Sequence, residues 1–454
     1  MLQLKMPEPA SPHLVEAGGL NLSLKLRFLW LFEPNYHYGM EHGSHLRVFN
    51  WTAQLISQGH EVYFAVRRNQ TDDLIEKKKY LAQLLEQKIL TDYFEVEYNY
   101  PRLRGKLAQM VVHPKFVNFL LRDAQAPITK AISDFVASKR IDVCVFMDRA
   151  LLFALPEVKD QVRTVIDWVD CYVLYHLRLL PLHVKRGEVT EALRALRHLF
   201  GAFVEERYYG RRSAANSVTS PADKACIDRI TNVPGRNHVL LNGVKKAERP
   251  APLEKDENRI VFTGNMVFPP NYESAIWFID HVFPLLLQRR SNTRLVIAGA
   301  NPGKELLARA GPQIEITGFV EDMQHEIGKS ALYVAPLICG GGFKNKVVEA
   351  ITSGTFVVAT NMAVEFLHPS IRKHLLIGDT PKQLVDLIVT YFENPEGFNA
   401  RLETLKRLFE VEFSWENSTR ELLRVLYDTP PDPNASQGKA LTLNAEARGM
   451  NAVS

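Results

Sequence analysis

Residues Pro336–Thr360 read P-L-I-C-G-G-G-F-K-N-K-V-V-E-A-I-T-S-G-T-F-V-V-A-T. One apolar run, Leu332–Pro336, ends where this stretch begins, and a second, Phe356–Thr360, closes it. Between them stand Gly340, Gly341 and Gly342, then a helix-periodic segment that starts near Lys346 and stops at Gly354. The succession is strand, glycine loop, helix, strand. Glycines let backbone N–H groups approach a bulky anion with no Cβ in the way. A helix N-terminus adds partial positive charge, about 0.3–1 kcal/mol per exposed interaction. Lys346 adds a full charge, and Glu349, one turn on, shares its face. A carboxylate there can accept from the two vicinal hydroxyls of a ribose. The stretch therefore suits a nucleoside diphosphate. The plainer alternative is a structural glycine loop with an exposed Lys–Glu pair.

Working outward, the C-terminal half repeats the alternation. Arg259–Gly264, Arg294–Gly299 and Ile314–Gly318 are further strands, and a helix after Pro269-Pro270 has Asn271 as its expected cap. These strands are continuous apolar runs, the pattern of parallel strands covered on both faces. The N-terminal half opens with Leu26–Phe32 as a strand, a loop with Gly43 and Ser44, a helix from about His45 to Gln58, and Glu61–Val66 as the next strand. Ile141–Met147 and Val162–Ile166 follow as strands, residues 68–140 are largely helical, and 171–212 reads as one long helical segment. The fold class is α/β, with two Rossmann-like, doubly wound domains facing across a cleft. The expected boundaries are 23–240 for an acceptor domain and 241–428 for a donor domain. A last helix near 413–428 is expected to pack back on the first domain. Residues 1–22 and 429–454, rich in small and polar residues, are expected to be poorly ordered.

Composition narrows the classes. Hydrophobic residues are 46% and charged residues 23%, too apolar for a disordered chain. The four cysteines (Cys144, Cys171, Cys226, Cys339) form no CxxC pair and read as buried thiols. No apolar run approaches the roughly 18 residues of a membrane span, and no signal peptide is visible, so a cytoplasmic setting is expected. The first 250 residues carry net +8 and the remainder −4. Residues 101–150 hold most of that excess, with Leu103, Met110, Phe116 and Phe119 among the cations. Such a segment suits peripheral contact with an anionic membrane face, or is an ordinary amphipathic helix with a core face.

In order along the chain, Thr317-Gly318-Phe319-Val320, Ala331–Pro336, the glycine loop, Glu349-Ala350 and Ser353–Val358 resemble the C-terminal domain of GT-B glycosyltransferases. Gly264-Asn265, Asn242-Gly243-Val244, Phe413-Ser414-Trp415, Gly59–Val62 and Val218–Asp223 extend the resemblance over about 400 residues. It is most similar to the retaining nucleotide-sugar family numbered four, in its exopolysaccharide flavour. That resemblance implies transfer of a sugar, of hexosyltransferase type, from a nucleoside diphosphate to an acceptor hydroxyl. The family often has two glutamates eight residues apart. The second matches Glu349, implying ribose binding, while the first falls at Gly341. Lys344 with Lys346 fits a variant in which basic residues precede the second glutamate. The implied donor-binding set is Gly264, Asn265, Phe319, Gly341, Gly342, Phe343, Lys344, Lys346 and Glu349. Lys346 and Asp148 are the catalytic candidates, with Gly43 and Ser44 on the acceptor side.

The implied partners are a nucleotide-sugar donor and a glycan or lipid-linked acceptor, with no nucleic acid. No cofactor and no metal are expected. Asp167 and Asp170, spaced D-x-x-D, read as acceptor contacts or helix caps, His42 and His45 as surface histidines, and Glu205-Glu206 as a solvated face. Two other functions keep the fold: a nucleotide-sugar epimerase, and a catalytically silent binding subunit. A Rossmann oxidoreductase is disfavoured, because Glu33-Pro34-Asn35-Tyr36 and no G-x-G-x-x-G follows the first strand.

Overall fold

The computed structural model describes residues 25–32, 43–68, 74–97, 122–147, 149–244 and 254–428. The segments 1–22 and 429–454, the basic stretch through residue 121, His42 and Asp148 lie outside the described residues.

Thirteen described strands form two sheets. The first contains β1 (Arg27–Leu31), β2 (Glu61–Arg68), β3 (Asp92–Glu97), β4 (Val143–Phe146), β5 (Arg163–Val169), β6 (Ala215–Val218) and β7 (Asn237–Val239). Its order is β3-β2-β1-β4-β5-β6-β7, and every pair is parallel. The second contains β8 (Asp256–Thr263), β9 (Arg294–Ala298), β10 (Ile314–Gly318), β11 (Ser330–Ala335), β12 (Phe356–Ala359) and β13 (Leu376–Ile377). Its order is β10-β9-β8-β11-β12-β13, again all parallel. Winding reverses between β1 and β4 and between β8 and β11. In such sheets the ligand crevice opens beyond the carboxyl ends at that reversal. Gly264-Asn265 follow β8 and the glycine loop follows β11, so both stand at the reversal of the second sheet.

The packing explains why the interior strands are apolar throughout. Leu332, Tyr333, Val334 and Ala335 of β11, and Phe356–Ala359 of β12, are all buried. The helix Trp415–Asp428 comes after the second sheet in sequence but packs on the first. Its Leu422, Leu423, Val425 and Leu426 join Phe28, Trp30, Val48 and Trp51 in one core. Trp51 Nε1 donates to Ser418 Oγ at 2.8 Å, and Ser418 Oγ donates to the Leu241 carbonyl at 2.6 Å.

Several expectations are corrected. Pro269 and Pro270 do not exclude helix: they open the helix Pro269–Trp277, where a proline's missing N–H costs nothing. Asn271 is therefore inside that helix and caps nothing. Residues 171–212 form two helices, Tyr172–Lys185 and Val189–Gly210, broken at Arg186–Glu188, where Gly187 has φ +71°. Glu205 and Glu206 are buried, not solvated, and His45 is buried against the Phe32 ring at 5.1 Å. Cys144, Cys171 and Cys339 are buried, but Cys226 is only partly so. The segment 68–140 contains β3 as well as helix.

Candidate functional site

The glycine loop reaches across to the first sheet. The Gly342 N–H donates to Asp223 Oδ2 at 2.8 Å, and the Phe343 N–H to Thr219 Oγ1 at 2.9 Å. Arg178 donates to the Gly340 carbonyl at 2.7 Å and forks onto both Glu365 carboxylate oxygens at 2.6 and 2.8 Å. Arg186 reaches Glu273 at 2.8 Å, and the Tyr175 and Phe268 rings stack 5.9 Å apart. Two closely approaching chains explain two of the glycines. Gly342 has φ +72°, and a Cβ there would overlap the Asp170 carboxylate. Gly299 has φ +143°, and a Cβ there would overlap the Gly264 backbone.

The two lysines differ in surroundings. Lys344 turns back on its own loop, donating to the Gly341 carbonyl and to the Gly342 carbonyl at 3.0 Å. Burial lowers its pKa, against the pull of Glu365, Asp170 and Asp223. Lys346 lies in the first turn of the helix Asn345–Thr352. It donates to the Thr263 carbonyl at 2.8 Å and to Asn271 Oδ1, with its ammonium 4.6 Å from the centre of the Phe262 ring. Burial brings this lysine down to about 7, with Glu349 opposing and Lys344 adding to the shift.

Glu349 faces Lys346, and burial raises its pKa against the lysine's opposing charge. Its carboxylate takes no hydrogen bond from any described residue. Glu349 is half-buried, so its oxygens stay open to a donor from solvent or from a ligand. Asn265 Oδ1 accepts from the Val267 N–H at 3.2 Å, and its carbonyl accepts from Asn271 Nδ2 at 2.9 Å. Phe319, just past β10, is 75% exposed. The Phe343 ring packs inward on Phe366 and Phe413, leaving only its backbone at the crevice.

The structure thus brings together Gly264, Lys346 and Glu349 at the ends of β8 and β11, and Gly341 and Gly342 against Asp223 and Asp170. Gly43 and Ser44 open the helix Gly43–Ser57 that follows β1. Asp148, the other catalytic candidate, lies outside the described residues.

Residues 257–394 match the family model described as Glycosyl transferases group 1. A 44.6 kDa protein of the cps region of Klebsiella pneumoniae is 26% identical over 147 residues, 30% of this chain and 38% of that protein. HepE from Anabaena, solved in complex with UDP, superposes with a TM-score of 0.60 at 14% identity, covering 89% of this chain and 99% of its own. WaaG, a glycosyltransferase involved in lipopolysaccharide biosynthesis, gives 0.54 at 12% identity, covering 88% and 99%.

The chain has the GT-B glycosyltransferase fold.

In this GT-B chain, residue patterns missed a polar network at the domain junction. Arg47 forks onto Asp167 at 2.7 and 3.2 Å and donates to Asn242 Oδ1 at 2.7 Å, 3.8 Å from the Trp51 ring centre. Ser217 donates to the same Asp167 at 2.7 Å, and Asn242 donates to Asn345 at 3.3 Å. Asp167 is thus a buried ion-pair partner. Asp170 sits under the glycine loop, and burial with the nearby Asp223 charge pushes it up to about 6. Beside it, Arg149 holds Glu206 at 3.0 Å, and Glu206 accepts from the Tyr172 N–H at 2.7 Å. The signal for Arg47 was its place on the apolar face of a helix, which only an internal partner makes tolerable. Among the described residues no group of three or more His, Cys, Asp or Glu could hold a metal ion.

Proposed function

We propose that this protein transfers a sugar from a nucleoside diphosphate sugar to an acceptor hydroxyl, with retention, in polysaccharide or glycolipid synthesis. The observation that carries the proposal is Glu349: a half-buried carboxylate with no donor among the described residues, one helical turn from the half-buried Lys346. In this reading Glu349 accepts from the ribose hydroxyls and Lys346 approaches the diphosphate. The helix Asn345–Thr352 directs its N-terminal dipole at the same anion. The C1–O bond to the diphosphate breaks with its electron pair staying on oxygen. A bond from C1 to the acceptor oxygen forms, and the acceptor proton passes to the departing diphosphate. Fixed cations and N–H dipoles favour that step because charge grows on the leaving group.

Support for the donor class comes from HepE, crystallised with UDP and with UDP-glucose. The cps-region relative and WaaG favour a surface glycan or glycolipid as product. A hexose donor, no bound metal and a cytoplasmic setting complete the proposal. No helix of the described residues is long and apolar enough to cross a membrane. Residues 23–240 would take the acceptor and 241–428 the donor. The test is release of free nucleoside diphosphate from a panel of nucleotide sugars, with and without EDTA. Turnover of one donor, unaltered by EDTA, is expected. A donor that binds without being hydrolysed or transferred in the presence of a cell-envelope extract would favour a silent binding subunit.

A further inference from the structure

The glycine loop that the donor reading uses is engaged from the first domain. The Gly342 N–H donates to Asp223 Oδ2 at 2.8 Å, and the next N–H, that of Phe343, donates to Thr219 Oγ1 at 2.9 Å. Both acceptors follow β6 and are fixed from their own side. Asp223 is buried, takes the Cys171 N–H on Oδ1 at 2.9 Å, and takes the Ser220 hydroxyl on Oδ2. Thr219 Oγ1 donates to the Val169 carbonyl at 2.9 Å. The acceptors therefore belong to the framework of the first domain, and the loop is the part that can leave. Its two N–H groups need these acceptors only while no ligand supplies others.

Charge says what the acceptors stand in for. Glycines clear room for an anion to reach backbone N–H groups. Here carboxylates fill that room: a Cβ on Gly342 would overlap Asp170, and one on Gly341 would lie 3.0 Å from Asp223 Oδ1. Lys344 turns its ammonium to the Gly341 and Gly342 carbonyls. A diphosphate at this loop would find the Gly342 and Phe343 N–H groups already bonded and two carboxylates alongside. Like charges at contact distance in a shielded crevice repel strongly, so the diphosphate and Asp223 exclude each other. The loop is also held by contacts that can release. Arg178 binds the Gly340 carbonyl and Glu365, and Arg186 binds Glu273. Charged contacts of this kind loosen with salt and with the loss of either partner.

We propose that Asp223, with Thr219, is an internal plug of the donor seat: in the ligand-free protein it takes the loop N–H groups that the diphosphate would take, and the donor binds by displacing it. The inference rests on the donor reading and adds a regulation of that same site. Hydrogen exchange tests the plug without a ligand. The Gly342 and Phe343 amides should exchange slowly in the wild-type protein, Asp223→Asn should speed the first, and Thr219→Val the second. An asparagine has one acceptor oxygen, too few for the Gly342 and Cys171 N–H groups together. Calorimetric titration with uridine, guanosine, adenosine and cytidine diphosphates tests the competition. Both variants, and Glu365→Gln, which loosens Arg178, should bind the accepted diphosphate roughly three- to tenfold more tightly than wild type, since a plug closed in about nine molecules of ten lowers apparent affinity about tenfold. Affinity for the matching nucleoside, which stops short of the loop, should not change. A cooperative melt near the wild-type temperature certifies folding, and Glu365→Gln carries the test should Asp223→Asn not fold. Equal or weaker diphosphate binding in the folded variants would overturn the plug and make Asp223 an anchor for the loop, with the donor reading intact. Fast exchange of both amides in the wild-type protein would overturn it as well. No diphosphate bound by wild type or by any variant would remove the donor reading, and the plug with it.

Discussion

At the residue scale, three side-chain positions carry distinct expectations. Glu349 is held next to Lys346 without a donor, so Glu349→Ala should leave folding intact and weaken donor binding at least tenfold. The loss corresponds to about 1.5–3 kcal/mol for hydrogen bonds to a charged group, and calorimetric titration with the donor reads it. Lys346 gives a pH signature. Burial depresses its pKa to about 7 in the free protein, and a bound diphosphate favours its charged form. Donor affinity should therefore be level below pH 7 and fall above it, by up to about tenfold per pH unit. A nucleotide sugar is the right probe, and Lys346→Ala should flatten the slope. The same variant should lose more affinity for nucleoside diphosphate than for nucleoside; equal losses would make the lysine structural. Gly341 concerns the domain junction. A Cβ there would lie 3.0 Å from Asp223 Oδ1, so Gly341→Glu should force the loop away from Asp223. Faster amide exchange at Gly342 and Phe343 would register the separation.

At the element scale, legibility in the sequence followed apolar runs: edge strand β10 was read at its observed bounds, while β6, buried but reading Ala-Asn-Ser-Val, was not read as a strand. β8, β9, β11 and β12 are apolar runs because helices cover both their faces, and their boundaries were readable to within a few residues. β3, β7 and β13 were not. Each is an edge strand, where one side meets no partner strand and polar residues are tolerated. β3 reads Asp-Tyr-Phe-Glu-Val-Glu, and β13 is two residues long. The glycine loop and its helix were legible because their chemistry is local. Arg47, Asp167 and Asn242 were not, because three distant segments supply one network and no spacing in the chain records it. That network is a strong stability determinant. With Arg47 and Asp167 both buried, Arg47→Ala leaves a carboxylate unpaired and should cost about 3–5 kcal/mol. Urea titration would measure it, and a loss under 1 kcal/mol would mean that water enters the site.

At the scale of the whole molecule, the links between the two sheets include the glycine loop on Asp223 and Thr219, Arg178 on Glu365, Arg186 on Glu273, Tyr175 on Phe268, Asn242 on Asn345, and the last described helix lying across the first domain. Because Leu422, Leu423 and Leu426 are buried among β1 and β2 side chains, truncation before Trp415 should loosen the first sheet more than the second. Hydrogen exchange in Phe28–Leu31 should rise while that in Tyr333–Ala335 holds. In the proposed reaction donor and acceptor meet in the crevice between the sheets, and donor binding can be tested by itself. A thermal-shift screen of the full chain against uridine, guanosine, adenosine and cytidine diphosphates, and their sugars, is the most direct test. A ligand present at 100 times its dissociation constant stabilises by about 2.7 kcal/mol, a shift of several degrees. One nucleoside diphosphate should raise the melting temperature of the wild-type protein and not that of Glu349→Ala. No shift with any of them, or an equal shift in the variant, would contradict a nucleotide seat built on Glu349 and the glycine loop.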